Sequence, residues 1–168
     1  MWTARRILKE LTDTSLRKKI LTAFWRYGEP HSRLLATHQL AQAMRFRDET
    51  LKKMPNEKKA ELLSSRIGSP EFDQFLEMAL MQYHTHEKNE MMGTFLDRWQ
   101  IPHENGSIEA DEYKRPTADE VRSAVGELSQ FDRKDVAVYL ASAGLLMDDE
   151  WRAAVWPVAE ELRLNDER

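Results

Sequence analysis

No cysteine occurs in the 168 residues. That absence excludes disulfides, thiolate nucleophiles and cysteine-type zinc sites. Glycine and proline number six each, and neither clusters into a phosphate-cradling loop or a low-complexity linker. Long apolar runs are missing too. The longest uncharged stretch, Val136 to Met147, is far short of the ~20 residues that span a bilayer. The opening Met-Trp-Thr-Ala-Arg-Arg begins a charged amphipathic segment with no apolar signal core. These absences lead to the expectation of a cytoplasmic protein with no membrane partner. No strand-like alternation, Ser–His–acid order, dinucleotide fingerprint or His-Glu-x-x-His is present either.

What is present is an ordinary globular composition, 41% hydrophobic and 32% charged. Domains commonly take ~100–200 residues, so residues 1–168 are expected to form one helical domain. The charge is divided along the chain. Residues 1–60 hold fourteen Lys and Arg against six Asp and Glu, whereas residues 61–168 hold eleven against twenty-three. A subdivision into basic helices (1–68) and acidic helices (69–168) follows from that division. Such asymmetry fits a nucleic-acid or membrane partner for the basic half, attraction between two parts of one fold, or two surfaces that are each solvated separately.

Apolar residues recur at helical spacing nearly everywhere. Ala4, Ile7, Leu8 and Leu11 make a first amphipathic helix. Asp13 to Ser15 offer capping oxygens to a second, whose stripe is Leu16, Ile20, Leu21 and Phe24. Gly28 reads as its left-handed stop. A long third helix is expected from about Ser32 to Met54, with His38 half-buried on its apolar face, and a shorter one around Ala60, Leu63 and Ile67. Ser69-Pro70-Glu71 reads as an N-cap, a first-turn proline and a dipole-facing acid. Phe72 to Tyr83 and Met91 to Trp99 lie on opposite sides of a helical projection, and one long or kinked helix over 70–99 is expected to carry both. Thr117 and Glu120 have the spacing of a capping box. Val136 to Met147 has no polar face and reads as the most buried helix. The last helix carries Trp151, Ala154, Val155, Val158 and Leu162, with Pro157 kinking or dividing it. The fold class is therefore all-α, a single-domain bundle of about seven to eight helices.

Ile101 to Glu112, "IPHENGSIEADE", has the glycine, the aliphatic and the final glutamate of a calcium-binding loop at the sixth, eighth and twelfth positions. Its first position, Ile101, supplies no oxygen ligand. Asn105-Gly106 instead suits a tight two-residue turn with positive φ at both positions, so a short hairpin-like loop is expected there.

Two residue groups are candidate sites. His84, His86, Glu87 and Glu90 offer imidazole and carboxylate donors at near-helical spacing, as a transition-metal enzyme or sensor in a helical bundle requires. Arg5, Arg6, Lys9, Arg17, Lys18, Lys19 and Arg26, with Trp25 among them, combine cations with an aromatic plane. That combination suits a nucleic acid or another charged partner, although no nucleic-acid motif accompanies it. No reactive group is assembled in the sequence. The leading expectation is a protein-interaction or accessory module, open to self-association, with no catalysis of its own and no cofactor.

Overall fold

A computed structural model describes residues 1–168. It is 71% helical, with ten α-helices and one two-stranded sheet. No helix is long and apolar enough to cross a membrane. The chain forms two compact units, one of residues 13–86 and one of residues 1–12 with 87–168.

The unit of residues 13–86 begins with α2 (Thr14–Tyr27), capped by the Asp13 carboxylate, which accepts from the Leu16 amide at 2.8 Å. Gly28 ends it with φ −61° and ψ 153°, so the expected left-handed stop is not formed. The glycine serves space instead, since a Cβ there would run into the Phe24 carbonyl and lie 3.3 Å from Arg33 Cγ. Helix α3 (Pro30–Met44) follows, then α4 (Asp48–Lys52) and α5 (Asn56–Ser64). The expected continuous helix from Ser32 to Met54 is thus broken. Arg45 takes a left-handed conformation at φ 57°, and the Phe46 amide reaches back to the Ala41 carbonyl at 2.8 Å. This is a helix-ending motif that usually recruits glycine. His38, expected on the apolar face of that helix, is exposed, and its Nδ1 lies 2.9 Å from Asp48.

A 3-10 turn (Pro70–Phe72) leads into α6 (Asp73–Glu87), and Ser69 makes no side-chain cap. Helix α2 packs along α5, and α3 against α4. Phe24 meets Phe75 with ring centroids 5.7 Å apart.

The other unit contains α1 (Ala4–Glu10), α7 (Asn89–Arg98), α8 (Ala118–Glu127), α9 (Arg133–Leu146) and α10 (Asp149–Asp166). Lys88 leaves helical conformation at ψ 19°. Residues 70–99 therefore form two helices rather than the one expected. Each helix buries its own face, Phe75, Leu76, Ala79, Leu80 and Tyr83 on α6 and Met91, Phe95 and Leu96 on α7. Strands β1 (His103–Glu104) and β2 (Ser107–Ile108) pair antiparallel, with His103 opposite Ile108. Asn105 and Gly106 between them have φ of 50° and 86°, the tight turn that the Asn-Gly pair favours. The hairpin lies on α7.

Helix α9 is buried at nine consecutive positions, Val136 to Gly144, and both α1 and α10 pack against it. The capping threonine of α8 accepts from the Glu120 amide at 3.2 Å. Pro157 leaves α10 undivided. Trp151 anchors an aromatic cluster. Its indole N–H donates to the Tyr113 hydroxyl at 2.7 Å, and its ring meets the edge of Trp99 at 5.8 Å. Phe95 joins Trp99 to Tyr139, and burial pushes the Tyr139 phenol well above its usual range.

Asp148 caps α10 through the Trp151 amide, at 3.0 Å, and accepts from Arg115 Nε at 2.8 Å. The Arg115 guanidinium holds this carboxyl below its ordinary value of 3.8.

Two outcomes are expected. Trp151→Ala removes a fully buried indole and destabilises the protein by about 3–5 kcal/mol in urea unfolding. Because the native pKa of Asp148 is depressed, its stabilising effect is complete above the unfolded-state value. It is lost as pH falls through the lower native one. The melting temperature of wild-type protein is therefore expected to fall more steeply with acidification than that of Asp148→Asn.

Candidate functional site: a tryptophan-walled groove

Helix α10 has two faces. Trp151, Ala154, Val155, Val158, Ala159 and Leu162 are buried. Asp149, Arg152, Ala153, Trp156, Pro157 and Glu160 recur at helical spacing on the other face, and with Met1, Trp2 and Arg6 they line a cavity of about 580 Å³. Its wall is mainly apolar, and its volume falls in the ~300–1,000 Å³ range of ligand sites.

Each aromatic wall is fixed by a different device. The Trp156 indole N–H donates to the Ala141 carbonyl at 3.0 Å. Its ring occupies the space over Gly144 where any Cβ would collide with it. Arg152 crosses that ring at 4.9 Å and donates from Nε to the Gly144 carbonyl at 3.0 Å. On the opposite wall Arg6 lies 4.1 Å over Trp2. Its Nε donates to both Glu10 oxygens, at 2.9 and 3.0 Å, and Nη2 donates to Glu160 at 3.4 Å. Arg163 donates to Glu160 at 2.6 Å and holds its carboxyl below the usual range.

Pro157 interrupts the hydrogen bonding of α10. A proline has no N–H, so the carbonyl four residues earlier, that of Ala153, lacks its usual helical donor. Both residues line the groove.

A second, polar cleft of about 310 Å³ lies between α7 and the hairpin, lined by Asn89, Glu90, Gly93, Thr94, Asp97, His103 and Asn105. His103 is fixed at both nitrogens. Nδ1 accepts from the Gly106 amide at 3.0 Å, which leaves Nε2–H to donate to Asp97 at 2.7 Å. On the hairpin, hydrogen bonding with Glu104 pushes the Glu109 carboxyl up.

The candidate metal donors are dispersed. His84 is buried, with Nδ1 donating to the Leu80 carbonyl at 2.7 Å. His86, two residues on, is exposed and stacks on Tyr27 at 4.2 Å. Glu87 and Glu90 are exposed. No group of three or more His, Asp or Glu side chains is placed to hold a metal ion.

The candidate basic cluster is divided between the units. Arg5, Arg6 and Lys9 lie on α1, whereas Arg17, Lys18, Lys19, Trp25 and Arg26 lie on α2. Lys18 pairs with Glu61 at 2.9 Å, and Arg26 approaches Glu57 at 3.8 Å. Lys19 is exposed, and Trp25 is only 2% exposed, with its ring against Phe24. Sequence reasoning missed the groove. The available signal was Trp156, a large aromatic lying off the buried stripe of its own helix.

No protein-family model, curated protein or solved structure matches this chain.

Gly144→Ala is expected to expel the Trp156 indole from its seat. The change should appear as loss of protection of the Trp156 indole N–H in NMR exchange, while the Trp151 indole N–H stays protected.

Proposed function

We propose that the chain is a protein-interaction module that docks a short segment of a partner in the groove between α1 and α10. The observation that carries this reading is the tryptophan-walled cavity, held open by glycine on one side and paired arginines on the other. Preorganised aromatic walls of this kind serve recognition, because little side-chain freedom is lost when a ligand arrives.

Charge selects the partner. The unit that forms the groove carries thirteen Lys and Arg against twenty Asp and Glu. The groove's own arginines are already engaged with carboxylates or carbonyls. An apolar side chain flanked by Lys or Arg is the complement. Such a segment fits the interaction or accessory role without requiring any catalytic group. Metal chemistry at His84, His86, Glu87 and Glu90 has no converging donor set in its favour. Nucleic-acid binding through Arg5 to Arg26 would have to proceed without a stacking face on Trp25.

The test is selection from a displayed random-peptide library, followed by affinity measurement. Selected peptides are expected to carry an apolar residue beside basic ones. They should lose about tenfold or more in affinity, at least ~1.4 kcal/mol, on Ala153→Arg, a substitution at an exposed position. Recovery of no binder, or of binders indifferent to both Ala153→Arg and Trp156→Ala, removes this proposal.

A further inference from the structure

In the unit of residues 13–86, two cations are gathered without a counter-ion. Arg33, on the first turn of α3, donates from Nη1 to the Trp25 carbonyl at 3.3 Å, and its Nε is buried with no acceptor. Lys59, on α5, holds its ammonium 5.4 Å from the centre of the Trp25 ring. The Trp25 indole N–H is likewise buried without an acceptor. Burial lowers the Lys59 pKa, the charge of Arg33 lowers it further, and no carboxylate acts against either effect.

The acids closest in sequence are engaged elsewhere. Glu29 turns its carboxylate to the start of α3, accepting from the His31 and Ser32 amides and the Ser32 hydroxyl. Glu57 faces Arg26. In a chain with more acidic than basic residues, two half-buried like charges beside one tryptophan, Arg33 at its carbonyl and Lys59 over its ring, are electrostatically unfavourable until an anion joins them. Guanidinium offers a planar fork of donors and ammonium a compact point charge, and the two together suit a tetrahedral oxyanion.

We propose that Arg33 and Lys59, both held against Trp25, form a binding site for a phosphate-class oxyanion. The site is separate from the groove and does not depend on the docking reading.

The experiment uses the full chain and reads acylation of individual lysines by an N-hydroxysuccinimide ester, followed by mass spectrometry. Lys52 and Lys53, exposed in the same unit, are internal controls. In chloride, Lys59 is expected to react faster than either, because more of it is neutral amine. Inorganic phosphate at constant ionic strength restores the ammonium and shields it. Labelling of Lys59 alone is expected to drop about tenfold when phosphate reaches about ten times its dissociation constant. Equal protection by methyl phosphate places the anion at the end of a larger molecule, and protection by phosphate alone makes the free ion the ligand.

In Arg33→Gln, which keeps an aliphatic stem over Gly28, Lys59 should react more slowly in chloride and phosphate should protect nothing. Arg33→Lys is expected to retain part of the protection. Lys59 labelling that is unchanged by phosphate, slowed as much by acetate, or protected equally in Arg33→Gln overturns the proposal.

Discussion

A helix without a polar side has to be covered, and α9 is such a helix. From Val136 to Gly144 every residue is buried. Each large aliphatic side chain withdrawn from water there contributes about 1.5–3 kcal/mol. Small residues make close covering feasible. Ala137, Ala141, Ala143 and Gly144 let neighbouring helices approach, and Ser142 satisfies its hydroxyl within the helix, on the Val138 carbonyl at 2.6 Å. Two of the helices that pack on α9 in its own unit, α1 and α10, are thereby brought to either side of one trough. Trp2 and Arg6 come from one wall, and Trp156 and Pro157 from the other. The groove is a consequence of covering α9, and Gly144 belongs both to the covered helix and to the seat of Trp156.

Charge tightens this arrangement without creating it. The basic α1 lies within the more acidic unit, and Arg6 and Arg163 between them engage Glu10 and Glu160. Exposed ion pairs contribute about 0–1 kcal/mol each, so these pairs orient side chains along the groove more than they hold the fold together. On α2, Lys18 and Arg26 meet Glu61 and Glu57 of α5 in the same way. Part of the charge asymmetry in the sequence is therefore complementarity within each unit. Arg33 and Lys59 are not matched in this way: Arg33 reaches the Trp25 carbonyl and Lys59 the Trp25 ring.

Much of the architecture was legible because it is written in local chemistry. Asp13, Thr117 and the Asn105-Gly106 turn act through atoms a few residues away, and the sequence showed Val136 to Met147, most of α9, as charge-free before any packing was known. The breaks were harder to see. Arg45 ends α3 in a conformation that glycine normally signals, and Lys88 separates α6 from α7 with no helix-breaking residue. Gly28 pointed the wrong way for the opposite reason. It is needed for clearance rather than for positive φ. His84 and His86, two apart on a helix, face different surroundings, the first buried and the second exposed. The groove joins residues about 150 positions apart in sequence, a separation over which spacing patterns carry no information. Only Trp156, off its helix's apolar stripe, hinted at it.

Native-state hydrogen exchange tests most directly whether α9 is the element on which the groove depends. The amides of Val138 to Ala143 are expected to exchange only through complete unfolding of their unit, with the same free energy that denaturant titration gives. The amides of α1 and of Ala154, Val155, Trp156, Val158 and Ala159 should exchange no more slowly. Exchange of the α9 amides ahead of those in α10 would contradict the account, because the covering helix would then outlast the helix it is said to cover.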